Sequence, residues 1–229
     1  MKLLAIETAT EACSVALFVD GNVRERFEIA PRRHAELALP MADALIVESG
    51  IAKSALDAIA VGRGPGAFTG VRLAIAVAQG LALALDRPVV PVSTLAALAL
   101  EAQAIRHDDA GVLAAIDARM GEVYAGTFAF DADGLVSALG EEVLVRPDAI
   151  ARPAGALIGV GSGFATYGDA LRARIAPLAV APYALPRASG VARLAARAFA
   201  RGEGVDAADA QPVYLRDKVA LTLAEQGKA

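Results

Sequence analysis

The sequence predicts an α/β fold made of two related lobes with a cleft between them. Three short apolar runs separated by turn residues open the chain and predict antiparallel strands. Longer runs with helical spacing alternate with further short apolar runs. The strand–turn–strand pattern of residues 4–21 recurs over residues 114–134, each time with a carboxylate at the end of the first strand. A single repeat over so long a distance indicates two lobes rather than a solenoid.

The elements of the first half follow from local signals. Asp20-Gly21 separates two extended runs, which is typical of a hairpin, and Gly50 follows a helical run as a C-cap. The predicted strands are 1–6, 14–19, 23–29, 56–61 and 89–92. The predicted helices are 34–49, 71–85 with Thr69-Gly70 as its cap, and one that Ser93 or Thr94 caps and that runs to about residue 105. We expect residues 1–107 to form the first lobe, 108–205 the second, and the tail 206–229 to return to the first.

Composition excludes several classes of protein. The chain has 229 residues, 56% of them apolar and 21% charged, so it is long enough for a sizeable core. One cysteine excludes an internal disulfide framework, and two histidines disfavour a zinc site. The net charge of −4 disfavours a protein that grips nucleic acid by itself.

Targeting and membrane signals are also weak. Glu7 interrupts the opening apolar run too early for a signal peptide, and polar residues and prolines interrupt the apolar stretch 73–100. We therefore expect a cytoplasmic protein without a membrane span.

Six residues are candidates for lining the cleft. The carboxylates Glu7 and Asp117 end equivalent strands, where they would either hold a metal-bound phosphate or simply cap their hairpin turns through backbone N–H groups. The glycine-rich loop 62–66 precedes a helix and is either an anion cradle or a plain turn, although no P-loop lysine follows it. A second glycine-rich turn, 159–163, would lie against a nucleotide or form a tight loop. The glycines concerned are Gly64, Gly66, Gly161 and Gly163.

The predicted helix 34–49 is apolar nearly all round. Leu37, Met41 and Leu45 share one face, and other apolar residues occupy the opposite face. Such a helix is either buried on both sides or covered by a partner, unless alanine richness alone inflates the pattern; a small lobe favours the partner.

Two other features favour ordinary structural roles. Arg193, Arg197 and Arg201 form a basic stripe, for which a solvated helix face is favoured over a tRNA contact. Cys13 is expected to be a small hydrophobe rather than a nucleophile.

Four segments together resemble the bacterial TsaB (YeaZ) family. They run from one end of the chain to the other, and the second is the most specific. The segments are 6–17 (IETATEACSVAL), 62–72 (GRGPGAFTGVR), 115–124 (AIDARMGEVY) and 212–216 (PVYLR).

The resemblance implies an actin/Hsp70-like fold with duplicated ribonuclease H-like lobes. It also implies a role in making threonylcarbamoyladenosine (t6A) in tRNA, in which the paralogue TsaD transfers the threonylcarbamoyl group and TsaE is an ATPase. Pairing with TsaD is expected through first-lobe helices, and the isolated chain is expected to form a homodimer through the same surface. The expected interface residues are Leu37, Met41, Leu45, Ala74 and Val77.

Departures from the catalytic paralogue point to a non-catalytic subunit. Thr94 and Leu98 stand where TsaD carries a metal-binding His-x-x-x-His motif, and Ala9 stands where a glycine would admit a phosphate. We therefore expect no catalytic residue, no metal and no required cofactor. ATP or ADP would bind at most weakly or at the interface of the complex, and tRNA would be met only through the complex. The alternative is an ATP-dependent small-molecule kinase of the same fold; two distant histidines nearly exclude a metallopeptidase.

Overall fold

The computed structural model describes residues 1–107 and 109–216. The first half of the chain contains a five-stranded sheet with the order β3-β2-β1-β4-β5. The first three strands are antiparallel, as predicted, and β4 and β5 run parallel to β1. The strands are β1 (Lys2–Glu7), β2 (Ala12–Val19), β3 (Asn22–Ile29), β4 (Ala58–Gly62) and β5 (Val89–Val92).

The second half repeats this arrangement. An antiparallel hairpin, β6–β7, is extended by parallel strands on one side and by short antiparallel strands on the other, giving the order β11-β10-β6-β7-β8 with β9 also on β7. The strands are β6 (Gly111–Arg119), β7 (Glu122–Phe130), β8 (Val136–Ala138), β9 (Val143–Val145), β10 (Leu157–Val160) and β11 (Ala179–Ala181). The matching order of the two sheets confirms the predicted duplication and the two-lobed α/β fold.

Helices cover both faces of the first sheet. Leu4 and Ile6 of β1 face a core shared with α1 (His34–Ser49) and α2 (Phe68–Leu85), whereas Leu3 and Ala5 face α6 (Ala188–Ala200). The alternation follows from the two-residue period of a strand. Because both faces are buried, β1 reads as an almost unbroken apolar run.

Two helices cross between the lobes. α3 (Thr94–Leu100) belongs to the first half of the chain but packs on β6, while α6 from the second half packs on β1 and β2. The two helices also contact each other and join both sheets in one continuous core. The predicted boundary at residue 107 follows the two sheets, but strand pattern does not reveal that α3 and α6 each pack on the sheet of the other half. Of the tail that we expect to return to the first lobe, residues 217–229 lie outside the described residues.

Helix starts also differ from the predictions. α2 begins at Phe68 after Ala67, with no side-chain cap, so the expected cap at Thr69-Gly70 is wrong. Gly70 instead packs against the backbone of Thr8, inside the first turn of the helix. Ser93, one of the two predicted caps, accepts a hydrogen bond from the Ala96 N–H, and α3 gives way to a 3-10 turn, Glu101–Ile105. The remaining helices are α4 (Ser162–Thr166) and α5 (Gly168–Ile175).

α2 has the length and apolar composition of a membrane-crossing helix. In the structure its inner face is buried on β4, through residues that include Val71, Ile75 and Ala78. Its other face carries exposed apolar residues, considered below.

The continuous core predicts cooperative unfolding of both lobes. Leu98 is completely buried between them, so Leu98→Ala should lower the free energy of unfolding by about 3 kcal/mol. Leu178 is 57% exposed, and Leu178→Ala should change it by less than about 0.5 kcal/mol. Urea unfolding followed by circular dichroism checks both values. Two separate transitions in the wild type would contradict a shared core.

Candidate functional site

Glu7 is buried at the end of β1 rather than lining an open cleft. Its Oε1 atom accepts a hydrogen bond from the Ala9 N–H at 2.7 Å, and Oε2 accepts one from the Thr94 hydroxyl at 2.9 Å. Burial raises the pKa of Glu7 to about 7, against the opposing effect of these hydrogen bonds. The carboxyl group thus caps the β1–β2 turn, which is one of the two roles considered from sequence.

Gly62 closes the other side of Glu7. A Cβ atom at this position would overlap Oε2 of the carboxyl group. The last residue of β4 must therefore be glycine for Glu7 to keep its place. Nothing in this arrangement leaves Glu7 open to a metal-bound phosphate.

Backbone N–H groups of the glycine-rich loop form hydrogen bonds within the protein. The Gly64 N–H donates to the Thr94 hydroxyl at 3.2 Å, and the Ala67 N–H donates to the Ala9 carbonyl at 2.7 Å. A Cβ atom on Gly66 would lie 2.5 Å from that same carbonyl oxygen. The loop therefore packs directly on the β1–β2 turn, and the space in which a phosphate would approach Gly66 is filled by Ala9.

Asp117 repeats the capping role of Glu7 in the second lobe. Its Oδ1 atom accepts a hydrogen bond from the Arg119 N–H at 2.8 Å, two residues along, as Glu7 does from Ala9. Tyr167 and Thr166 donate further hydrogen bonds to the carboxylate. Each carboxylate is held by side chains and backbone from its own half of the chain, so the structure does not join them in one site.

The second glycine-rich turn is built for close packing. A Cβ atom on Gly161 would overlap the Ala115 carbonyl and the Leu98 side chain, and one on Gly163 would lie 2.9 Å from the Ala115 Cβ atom. Both glycines thus let the β10–α4 turn pack onto β6. This close packing favours the tight loop, one of the two alternatives that the sequence left open.

Thr94 and Leu98, the two positions where the resemblance implies metal ligands in the paralogue, have other partners. The Thr94 hydroxyl is occupied by Glu7 and Gly64, and Leu98 is buried. Within residues 1–107 and 109–216, no group of three His, Cys, Asp or Glu side chains is placed to hold a metal ion.

Two of the five expected interface residues lie in the core. Leu45 and Ala74 are only 2% and 1% exposed, because they face the first sheet. The expectation that they contact a partner is corrected on this ground. Leu37, Met41 and Val77 are half-buried, and Leu37 and Met41 line a groove of about 480 Å³ between α1 and β3.

The outward sides of α1 and α2 carry apolar residues that sequence reasoning missed. Leu39 and Val47 of α1 are 47% and 77% exposed, and Leu83 of α2 is 79% exposed. We call these three residues, together with Gly80, the outer face. A helix that is apolar all round does not reveal which side meets its own sheet, so the sequence pattern assigned the buried Leu45 to a partner.

Gly80 is a second indication, besides the exposed apolar side chains, that the outer face meets a partner. It lies in the interior of α2, and a Cβ atom added there would meet no atom within 4 Å. Glycine in a helix interior costs about 1 kcal/mol relative to alanine. Packing among the described residues does not explain this glycine, whereas Gly70 in the same helix is required by the nearby Thr8 carbonyl.

The arginine stripe of α6 is not a free basic face. Arg197 forms an ion pair with Asp131 and donates to the Val136 carbonyl, and Arg193 donates to the Gly134 carbonyl. These bonds tie α6 to the β7–β8 hairpin, so the expectation of a solvated stripe is corrected for Arg197. Cys13 is buried, and burial raises its pKa to about 11, as befits a small hydrophobic residue.

Comparison with known proteins identifies the family. Residues 27–163 match the family of TsaD, the tRNA N6-adenosine threonylcarbamoyltransferase. The tRNA threonylcarbamoyladenosine biosynthesis protein TsaB of Escherichia coli strain K12 is 41% identical over 224 residues, which cover 96% of both chains. The chain belongs to the TsaB family. The TsaB of Haemophilus influenzae is 37% identical over 96% of this chain and 95% of that protein.

Solved structures agree with this assignment. YeaZ from Pseudomonas aeruginosa superposes with a TM-score of 0.86 at 49% identity, covering 93% of this chain and 99% of that one. Similarity to the transferase itself is narrower. The tRNA N6-adenosine threonylcarbamoyltransferase of Chlorobaculum tepidum is 38% identical over 108 residues, which cover 41% of this chain and 31% of that enzyme.

The burial of Glu7 predicts a specific pH dependence of stability. Folding raises the pKa of Glu7 from 4.5 to about 7, so the folded state keeps the proton at pH values at which the unfolded state has lost it. The free energy of unfolding of the wild type therefore falls as the pH rises from about 4.5 to about 7. Glu7→Gln removes this loss. Relative to wild type, its free energy of unfolding should rise by about 1 kcal/mol between about pH 6 and about pH 8.

Urea titrations of both proteins at the two pH values provide the measurement, and both lie above the isoelectric point of about 5.3. Asp148, whose carboxylate is exposed beside Arg146, offers a control, since Asp148→Asn should show no such change over this range. Parallel pH profiles for wild type and Glu7→Gln would contradict a buried, protonated Glu7.

Proposed function

We propose that this chain is a non-catalytic subunit of t6A synthesis that pairs with, and activates, the TsaD-like threonylcarbamoyltransferase. The observation that carries the proposal is the outer face of α1 and α2. These helices bury one side against the first sheet and present large apolar side chains to solvent on the other. Such a face is typical of a surface that a partner covers. Leu37, Met41 and Val77, which are half-buried, remain predicted contacts.

The bonds that the predicted cleft residues form within the protein support a non-catalytic role. Glu7 is buried and bonded to Thr94, and the glycine-rich loop packs on Ala9. The position of the second paralogue ligand is occupied by buried Leu98. A kinase would need an open phosphate site, so the kinase alternative is not favoured.

Gly80 supports helix-on-helix pairing. A glycine on an exposed helix surface lets a neighbouring helix approach closely, which compensates for its poor helix propensity. The exposed residues Ala76 and Ala84 flank it at four-residue spacing on the same side of α2. We infer a helical partner surface on the transferase.

Further partners follow from the family role. The TsaE-like ATPase would join the pair, tRNA would be met through the complex, and ATP or ADP would bind weakly or at the interface of the complex. In isolation the same outer face would form a homodimer. The proposed place of action is the cytoplasm.

Pairing is tested by mixing the chain with the TsaD-like paralogue from the same cell and measuring mass by light scattering after size exclusion. We expect a heterodimer of about one copy each, formed at the expense of a homodimer. Leu83→Asp and Val47→Asp should abolish it, because each places a charge in an apolar contact. Leu178→Asp, at a second-lobe position that is 57% exposed, is the matched control. Independent elution of the two wild-type proteins would contradict the proposal.

Gly80 and Gly70 give a second test within one helix. Gly80→Ala should raise the free energy of unfolding of the isolated chain by about 1 kcal/mol under conditions that keep it monomeric. Gly80→Leu should remain folded but lose pairing with the paralogue. Gly70→Ala should destabilise the chain, since its Cβ would overlap the Thr8 carbonyl. If Gly80→Leu pairs with the paralogue as well as the wild type does, the proposed role of Gly80 in pairing is contradicted.

A further inference from the structure

The last described segment of the chain, residues 211–216, runs from one lobe to the other. We call it the strap. At its first-lobe end the Val213 N–H donates to the Arg63 carbonyl at 2.9 Å. Next along the strap, Tyr214 receives a hydrogen bond from Arg72, whose guanidinium also lies 3.5 Å from the ring centroid of Phe68. These contacts fasten the strap to the glycine-rich loop and to the first turn of α2.

Arg216 fastens the other end of the strap to the second lobe. Its guanidinium forms an ion pair with Glu122 at 2.8 Å and donates to the Ala118 carbonyl at 3.1 Å. The Arg216 side chain is only 16% exposed, so this ion pair is better shielded than an ordinary surface pair. A single side chain therefore grips both strands of the β6–β7 hairpin.

The hairpin that Arg216 holds has an unusual turn. Arg119 and Met120 adopt left-handed backbone conformations, with φ of 63° and 57°, and Gly121 follows with 79°. Residues with a side chain adopt this conformation at a cost, so the turn needs support from its surroundings. Asp117 supports it through the Arg119 N–H, and Arg216 supports it through the Ala118 carbonyl.

A groove of about 640 Å³ lies between the strap and the helices that cross between the lobes. Its lining includes Ala96 of α3 and Leu194 of α6, and Val213 and Leu215 of the strap. Phe128 and Glu142 line it from the second lobe. The lobes thus share a packed core at α3 and α6 but are separated by open space next to the strap. Glu142 also crosses this space, to Ser93 and more distantly to Arg63.

We propose that Arg216 is a positioning residue which, through the strap, sets the orientation of the second lobe relative to the first. The α3–α6 core serves as the axis about which the lobes can turn, and the groove provides the space for that movement. The strap lies across the groove from this axis and restrains the turn. The effect of the strap on t6A synthesis rests on the proposed function, because the strap would hold both lobes in the arrangement that activates the paralogue.

Distances between the lobes test the proposal directly. Cys13 is buried and keeps its thiol protonated, so cysteines introduced on the surface can carry spin labels selectively. Ser54→Cys in the first lobe and Ala173→Cys on α5 both occupy exposed positions. Measured under monomeric conditions by double electron–electron resonance, the distance distribution should be narrow in the labelled parent and broader or shifted after Arg216→Ala.

Matched variants distinguish the loss of the Arg216 contacts from a general loss of positive charge. Arg146→Ala removes an exposed arginine that does not line the groove and that pairs with Asp148 at 3.1 Å, and it should leave the distribution unchanged. Arg216→Glu should broaden the distribution, and adding Glu122→Arg should narrow it again. If Arg216→Ala impairs folding, Glu122→Gln removes the ion pair while leaving the Ala118 bond. An unchanged distribution in folded Arg216→Ala or Glu122→Gln would overturn the proposal.

Activity assays then test the link to function. With the TsaD-like paralogue and the other components present, Arg216→Ala should pair with unchanged affinity but lower the turnover of t6A synthesis, by up to about 100-fold. Loss of pairing together with turnover would contradict a positioning role. Failure of the wild type to pair would contradict the proposed function alone, because the distance measurement does not depend on a partner.

Discussion

The backbone of Thr8 and Ala9 lies directly against the glycine-rich loop and the first turn of α2, and the functional character of the molecule depends on this contact. Thr8 donates its hydroxyl to the Gly70 carbonyl at 2.7 Å, and Ala9 accepts the Ala67 N–H at 2.7 Å. The contact fills the space that a phosphate would need. It also fixes α2 on the sheet, which leaves one side of that helix permanently outward.

The polar groups predicted to line the cleft form hydrogen bonds within the protein. Glu7 and Asp117 cap equivalent hairpins, and Thr94 joins Glu7 to the glycine-rich loop. α3 and α6 join the two lobes in a continuous core. The proposed function therefore rests on the exposed surface of α1 and α2.

Much of the fold was predictable because its signals are local. Asp20-Gly21 marked the β2–β3 hairpin, Gly50 marked the end of α1, and the repeated carboxylate at Glu7 and Asp117 revealed the duplication. The assignments of Leu45 and Ala74 failed, and the packing of α6 on the first sheet was not predicted, because packing across the whole chain decides which sheet a helix covers. Gly80 could have been noticed from sequence, but its meaning required the empty space around it.

Reconstituted t6A formation from tRNA and threonylcarbamoyl-adenylate tests the central claim most directly. The account predicts no product with this chain alone, little with the TsaD-like paralogue alone, and sustained formation when both are present with the TsaE-like ATPase and ATP. Product formation by this chain without the paralogue would contradict a non-catalytic role. Equal activity of the paralogue with and without this chain would contradict activation through pairing.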